Sequence, residues 1–235
     1  MKQKKSSPEQ ASVQNNEIRF NKRPFKFTDK QNAVIKKITD PESQITFIKG
    51  PAGVSKTYLG VYSAIRMMQD NPESSLIYLR SVVESSDRSM GFLPGSAQEK
   101  TLPFMEILED KLSEIVTPSD KISLMKSERI TSAPINFLRG KNWLDGTIII
   151  LDEAQNVSFQ EFLTILTRIG EGAKMIVLFD PDQSDIRYSG ANRVFQMFCD
   201  PESEQEGISC FEFDEDDVVR SRIVKFILKK FALNR

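Results

Sequence analysis

The stretch Gly50-Pro51-Ala52-Gly53-Val54-Ser55-Lys56-Thr57 decides how this chain is read. It follows the pattern G-x-x-x-x-G-K-[ST] with one exception, Ser55 standing where the pattern has glycine. A loop of this form wraps backbone N–H groups around phosphates at the N-terminus of a helix, whose dipole favours negative charge. Lys56 would bridge the terminal phosphates and the Thr57 hydroxyl would ligate Mg2+, with Tyr58 next along the helix. The glycine that Ser55 replaces permits close backbone approach, and serine tolerates the left-handed conformation poorly. The flanks fit the motif. Ile45–Ile48 reads as a short apolar strand, and from Lys56 to Gln69 the residues Leu59, Tyr62, Ile65, Met67 and Met68 give a helix an apolar side.

Further along, Leu151-Asp152-Glu153-Ala154-Gln155 follows Ile148–Leu151, the most apolar strand of the chain and one suited to burial on both faces of a parallel sheet. Asp152 would then stand at the loop's edge of the sheet and hold Mg2+ through water, and Glu153 would orient or deprotonate an attacking water. A third cluster, Asp180-Pro181-Asp182-Gln183, follows the strand expected over Met175–Phe179. Ligand groups of open α/β sheets gather at the carboxyl ends of strands, so the three clusters converge on one edge. Gln183 would sense a γ-phosphate or the water.

The remaining elements alternate in the manner of a doubly wound α/β domain with a mainly parallel sheet. Thr28-Asp29-Lys30-Gln31 has capping-box spacing and opens a short helix through Ala33, Ile35 and Ile38. Leu76–Leu79 is a strand, and 81–96 is a Ser/Gly/Pro-punctuated loop long enough to be functional. Leu102–Val116 is helical, and 122–137 is open between helix and strand. Ser158-Phe159-Gln160-Glu161 is a second capping box, before a helix with Phe162, Leu163, Leu166 and Ile169 on one side. Gly190–Phe198 reads as helix and Ile208–Phe213 as strand. A last helix is expected from about Asp216 to Phe231, with Val219, Ile223, Ile227 and Phe231 on a stripe.

Composition narrows the chemistry. The chain has no histidine and only two cysteines, Cys199 and Cys210, which excludes His-dependent acid–base or triad chemistry and a Cys/His metal site. Apolar and charged shares of 39% and 28% are ordinary for a globular protein. No segment approaches the ~18 apolar residues of a membrane span, so the chain reads as soluble and cytoplasmic, without a membrane partner. Residues 1–27 are expected to form a disordered basic tail, and 28–235 a single domain. Net charge is −1, so any polynucleotide must be met by local patches. Arg80, Arg88, and the cluster Arg139, Lys141 and Trp143 offer phosphate contacts and stacking, each also explicable as surface charge or core.

Transition-state charge in phosphoryl transfer often requires an arginine. Arg80, Arg139, Arg168, Arg187 and Arg220 are candidates. Arg220 stands out because a cation in the first turn of a helix opposes the dipole, whereas the acids at 214–217 before it suit that position.

Taken together, the stretches GPAGVSKTYL, GFLPGSAQEK, INFLRGKNW, IIILDEAQN, FLTILTRIG, FDPDQSD and DVVRSRIV resemble the PhoH-like ATPases over about residues 28–231. That family is similar to the first RecA-like domain of superfamily-one helicases. The resemblance implies a RecA-like P-loop NTPase fold, ATP hydrolysis with Mg2+, association with RNA or single-stranded nucleic acid, and ring-shaped homo-oligomers, often hexamers. It also implies that Gln31 contacts adenine, that Gln183 senses the γ-phosphate, and that Arg220 is a finger acting across a subunit boundary. Ser55 replaces the family's usual glycine or alanine, and Phe179 stands where glycine usually precedes Asp-Pro.

Two other readings fit the motifs. One is a nucleotide-gated scaffold with turnover weakened by Ser55. The other is a small-molecule P-loop kinase, for which no lid arginine cluster can be identified. About fifty residues follow Gln183, too few for a second motor domain in the same chain.

Overall fold

The computed structural model describes residues 17–21, 26–81, 97–135 and 143–219, with positions 223, 224, 226, 227 and 230 beyond them. In chain order the elements are α1 (Asp29–Thr39), β1 (Ile45–Lys49), α2 (Lys56–Asp70), β2 (Ser75–Arg80), α3 (Ala97–Ile115), α4 (Pro118–Lys126) and β3 (Ile130–Pro134). They continue with β4 (Thr147–Asp152), α5 (Phe159–Leu166), β5 (Lys174–Phe179), α6 (Ala191–Phe198), α7 (Pro201–Gln205) and β6 (Ile208–Glu212). The six strands form one sheet in the order β3-β2-β4-β5-β1-β6. Every pairing is parallel, as expected of α/β alternation.

Both capping boxes form. Thr28 accepts from the Gln31 amide while the Gln31 side chain accepts from the Thr28 amide, and Ser158 and Glu161 do the same at α5. The open segment at 122–137 divides into the end of α4 and all of β3, hinged at Glu128, whose φ of 56° turns the chain left-handed.

Pleating sorts the core into two layers. On one face Ile48, Leu76, Tyr78, Ile148, Ile150, Ile176 and Leu178 pack with α1, α2 and α3. On the other, Phe47, Leu79, Ile149, Leu151, Met175, Val177 and Phe179 pack with α5 and α6. Side chains two apart share a face, so Arg80, Asp152 and Asp180 continue the first layer at the strand ends. Phe179 lies on the opposite face, fully buried edge-on to Phe195, with ring centroids 5.6 Å apart. Its ring therefore packs in the core, although the residue also contributes to the lining of the cleft that holds Gln183.

Two sequence expectations about helices are corrected. On α5 the buried residues are Phe162 and Ile165, and Leu163 is half exposed. The helix stops at Leu166, before the stripe reaches Ile169, which instead bridges in parallel to Trp143. Gly170 must be glycine there, because a Cβ would lie 2.3 Å from the Trp143 carbonyl oxygen. At the other end, the acids 214–217 form a turn and not a helix start. Asp217 accepts from the Asp214 amide and pairs with Lys30 at 2.5 Å, so the helix dipole does not explain them. Positions 223, 224, 226, 227 and 230 are helical, but Ile223 and Ile227 of the expected stripe are exposed, as is Phe226.

The tail expected over residues 1–27 is not free throughout. Phe20 bridges antiparallel to Val116, the Asn21 amide donates to the Ile115 carbonyl at 2.9 Å, and Arg19 pairs with Asp120 at 3.1 Å. Ile18 is buried in the first-layer core and Phe20 tilts against Tyr62. Composition suggested disorder because the apolar residues here are few; they suffice because each meets a prepared groove. Among the described residues no helix is long and apolar enough to cross a membrane. Removing the Ile18 side chain by Ile18→Ala is expected to lower unfolding stability by about 2 kcal/mol, the cost of a buried aliphatic truncation. A chemical denaturation curve unchanged from wild type would show that this segment does not dock.

Candidate functional site

The sheet's carboxyl edge carries a cleft of about 310 Å3 lined by Lys56, Thr57, Asp152, Glu153, Asp180 and Gln183, together with Tyr58 and Val219. It is built between three strand ends. β1 runs into the loop, β4 into Asp152-Glu153, and β5, lying between them, into Asp180-Pro181-Asp182-Gln183. The sequence prediction that these clusters share one edge is therefore met.

The loop has little room for variation at its start. A Cβ on Gly50 would come within 2.7 Å of the Phe213 Cβ, so only glycine lets the chain leave β1 beside β6. At the other end Ser55 adopts φ 69° and ψ 28°, the left-handed conformation for which the pattern uses glycine. The serine has not remodelled the loop; it occupies the glycine's conformation and carries the strain of a Cβ there. α2 then begins at Lys56. Val54 is fully buried, and its carbonyl accepts from Gln31 Nε2 at 3.2 Å. Gln31 is itself buried, with its oxygen engaged at the Thr28 amide. In this arrangement Gln31 braces the loop against α1 through these two hydrogen bonds.

Lys56 Nζ donates to the Gly50 and Pro51 carbonyls at 2.6 and 3.0 Å. Burial lowers its pKa, opposed by the carboxylates of Asp180, Asp152 and Glu153. Burial likewise raises the Asp180 pKa, against the pull of Lys56. Both shifts have the same cause, a site partly stripped of water in which a charge lacks full compensation. A phosphate beside Lys56 would compensate the lysine's charge, and a cation that of the carboxylate.

Asp152, 3% exposed, is gripped from two sides. Its Oδ2 accepts from Thr57 Oγ1 at 3.1 Å and from the Tyr78 hydroxyl at 2.5 Å. Burial, and then the neighbouring Asp152 carboxylate, push the Tyr78 pKa far up, so the phenol stays protonated and donates. Glu153 has φ 53° and ψ 38°, a left-handed residue that ends the strand and starts a short 3-10 turn over Ala154–Asn156. Its Oε1 accepts from Arg80 Nη2 at 3.2 Å and its Oε2 from Gln155 Nε2 at 2.5 Å. Left-handed non-glycine residues cluster at functional sites.

Gln155 ties the edge together. Buried to 1%, it accepts from the Asp180 amide through Oε1 at 3.1 Å, while its Nε2 also lies 3.4 Å from the Gln183 carbonyl. Sequence reasoning assigned no role to Gln155 or to Tyr78. Tyr78 had a readable signal, lying two residues before Arg80 on a strand; Gln155 had none, since nothing in the sequence says that its side chain reaches across to the next strand.

Other candidates separate. Trp143 is buried and unavailable for stacking on a base. Arg139, Lys141 and Arg88 lie outside the described residues, as does Arg220. Val219 lines the cleft and donates from its amide to the Gly53 carbonyl at 3.1 Å. Arg187 lies over the Tyr188 ring, 5.3 Å from its centroid. Cys199 and Cys210 are free.

A parallel sheet, a loop of the P-loop pattern after one strand and a buried aspartate after another define a P-loop fold of RecA-like architecture. The profile of the PhoH-like protein family matches residues 26–232, and the chain belongs to that family. It is 35% identical over 207 residues to a PhoH-like protein of Synechocystis sp., covering 87% of this chain and 61% of the relative. A PhoH-like protein of Bacillus subtilis is 35% identical over 189 residues, covering 80% of this chain and 58% of the relative. The chain thus spans about three-fifths of the length of these relatives. Among solved structures, the large terminase of a thermophilic bacteriophage superposes with a TM-score of 0.52 at 12% identity, covering 87% of this chain and 50% of that one; it shares the fold.

Relieving the left-handed serine tests the loop's strain. Ser55→Gly is expected to raise unfolding stability by about 0.5–1 kcal/mol, the left-handed cost less glycine's greater entropy in the unfolded chain. The thermal midpoint should rise; a fall would mean that the Ser55 side chain makes a compensating contact.

Proposed function

We propose that this protein is an Mg2+-dependent ATPase that works as a ring of identical subunits, hexameric by family resemblance, on RNA or another single-stranded nucleic acid. The observation that carries the reading is the convergence of Lys56, Thr57, Asp152 and Glu153 on one cleft at the strand ends. The left-handed Ser55 supports turnover as well, because the loop keeps the conformation that a glycine would give it.

In this reading the loop amides and Lys56 hold the phosphates, with Lys56 exchanging its two carbonyl partners for phosphate oxygens. The donor set at the head of α2, a threonine hydroxyl against a buried carboxylate, suits a cation that takes few protein oxygens and keeps its waters. Among the described residues no group of three or more acidic or cysteine side chains would hold a metal alone, which fits a metal arriving with the nucleotide. Thr57 and Asp152 would hold Mg2+, which when bound neutralises charge on the phosphates. Tyr78 fixes the Asp152 carboxylate for that purpose.

Glu153 accepts a proton from water as the water oxygen bonds to the γ-phosphorus. The bond to the bridging oxygen breaks, ADP departs with that electron pair, and phosphate is released. Gln183, on the cleft wall, would contact the γ-phosphate or the water. Arg220 acts from a neighbouring subunit as the charge-neutralising arginine. The exposed apolar side chains Ile223, Phe226 and Ile227 support a neighbour on that side.

Phosphate release measured with ATP and Mg2+ tests the assignment. Lys56→Ala and Glu153→Gln are each expected to lower turnover by about 100-fold or more, on the order of the loss of a general base or an electrostatic clamp. Glu153→Gln should still bind a fluorescent ATP analogue. Turnover at the wild-type rate in both variants would refute the site, and a monomer by native mass measurement with full activity would refute the ring.

A further inference from the structure

The Glu153 carboxylate is engaged in a way that the proposed chemistry does not use. Both of its oxygens already accept hydrogen bonds, one from Arg80 and one from Gln155. A general base needs an oxygen turned to the water, within about 2.6–3.2 Å of it. Gln155 belongs to the network under the cleft and reaches on to Asp180 and Gln183. Arg80 does not. It ends β2, where its Cα is paired with that of Asp152, and it is not among the residues that line the nucleotide cleft. The guanidinium thus reaches Glu153 from outside, across the neighbouring strand.

The pair is also exchangeable. Its side chains are 28% and 32% exposed, and partly exposed ion pairs shift an equilibrium by about fivefold at most. A phosphodiester offers the same guanidinium fork two oxygens and a full charge, and competes on equal terms with a carboxylate. The replacement anion must come from outside the cleft, because Arg80 forms no part of its lining.

We propose that Arg80 is a positioning residue that latches Glu153 in a resting arrangement, and that a phosphodiester of single-stranded nucleic acid releases the latch by taking the guanidinium. The inference rests on the assignment of Glu153 as the base. Nucleic acid then stimulates hydrolysis by freeing one oxygen of Glu153, while Gln155 keeps the side chain on the cleft wall. Lys56 is held by the Gly50 and Pro51 carbonyls and not by Arg80, so the effect falls on turnover more than on ATP affinity.

The test compares wild type, Arg80→Ala and Arg80→Lys for phosphate release with and without an oligouridylate, alongside thermal midpoints and binding of a fluorescent ATP analogue. Arg80→Ala is expected to raise basal kcat by up to about fivefold with KM for ATP unchanged, and to lose stimulation by the oligonucleotide. Arg80→Lys, which keeps the charge, should restore a low basal rate and part of the stimulation. A merely structural Arg80 would instead lower the midpoint and kcat together. Basal turnover that falls in Arg80→Ala, or basal rate and stimulation equal to wild type, overturns the latch and leaves the ATPase reading standing. Turnover in Arg80→Ala with none in the unstimulated wild type supports it. Silence in every protein, with or without oligonucleotide, overturns both readings.

Discussion

Parallel strands in register share a pleat, and the whole site depends on that constraint. Arg80 is paired with Asp152 across β2 and β4, and the alternation of side chains puts both on the face that carries α2. Asp180 leaves β5 on the same face, and Gly50 leaves β1 one residue beyond the paired Lys49 and Phe179. A slip of one residue in any pairing would turn the carboxylate into the opposite core. The buried hydrophobic layers forbid that slip, since Phe47, Leu151 and Phe179 would have to trade places with Ile48, Asp152 and Asp180.

Upon that frame the polar edge is assembled by bridges between loops and not by charge pairs alone. Gln155 joins the β4 and β5 exits, Gln31 joins α1 to the phosphate loop, and Tyr78 joins β2 to the buried Asp152. Each is a neutral donor or acceptor in a buried place, where an unpaired partner would be costly. At the strand ends the charges gather around the cleft floor, as Lys56, Asp152, Glu153 and Asp180, with Arg80 behind them. The depressed Lys56 and raised Asp180 pKa values share one cause, the burial of charged groups in a site partly stripped of water.

Strain sits where function is expected. Among the described non-glycine residues, left-handed backbone occurs at Ser55, Glu153 and Glu128. The first two are at the loop and at the proposed base, while Glu128 is a hinge between α4 and β3. The packed sheet beneath over-determines the first two positions, which is how such conformations persist.

What the sequence determined by itself was the local and the periodic. Capping boxes at Thr28 and Ser158, the short apolar strands, the alternation of elements and the identities of Lys56, Thr57, Asp152 and Glu153 follow from contacts within a few residues or from patterns that repeat. Periodicity failed where a helix was too short to complete its stripe, at Ile169, and where four acids resembled a helix start but made a turn held by Lys30. Composition failed at Ile18 and Phe20, since docking depends on a groove formed by residues far along the chain, Val116 among them. Tertiary structure alone decided that Gln31 faces inward, that Trp143 is core, that Gln155 spans two loops and that Arg80 rests on Glu153. Those facts depend on which strands are neighbours and in what register, and side chains far apart in sequence carry no mark of the partner they will meet.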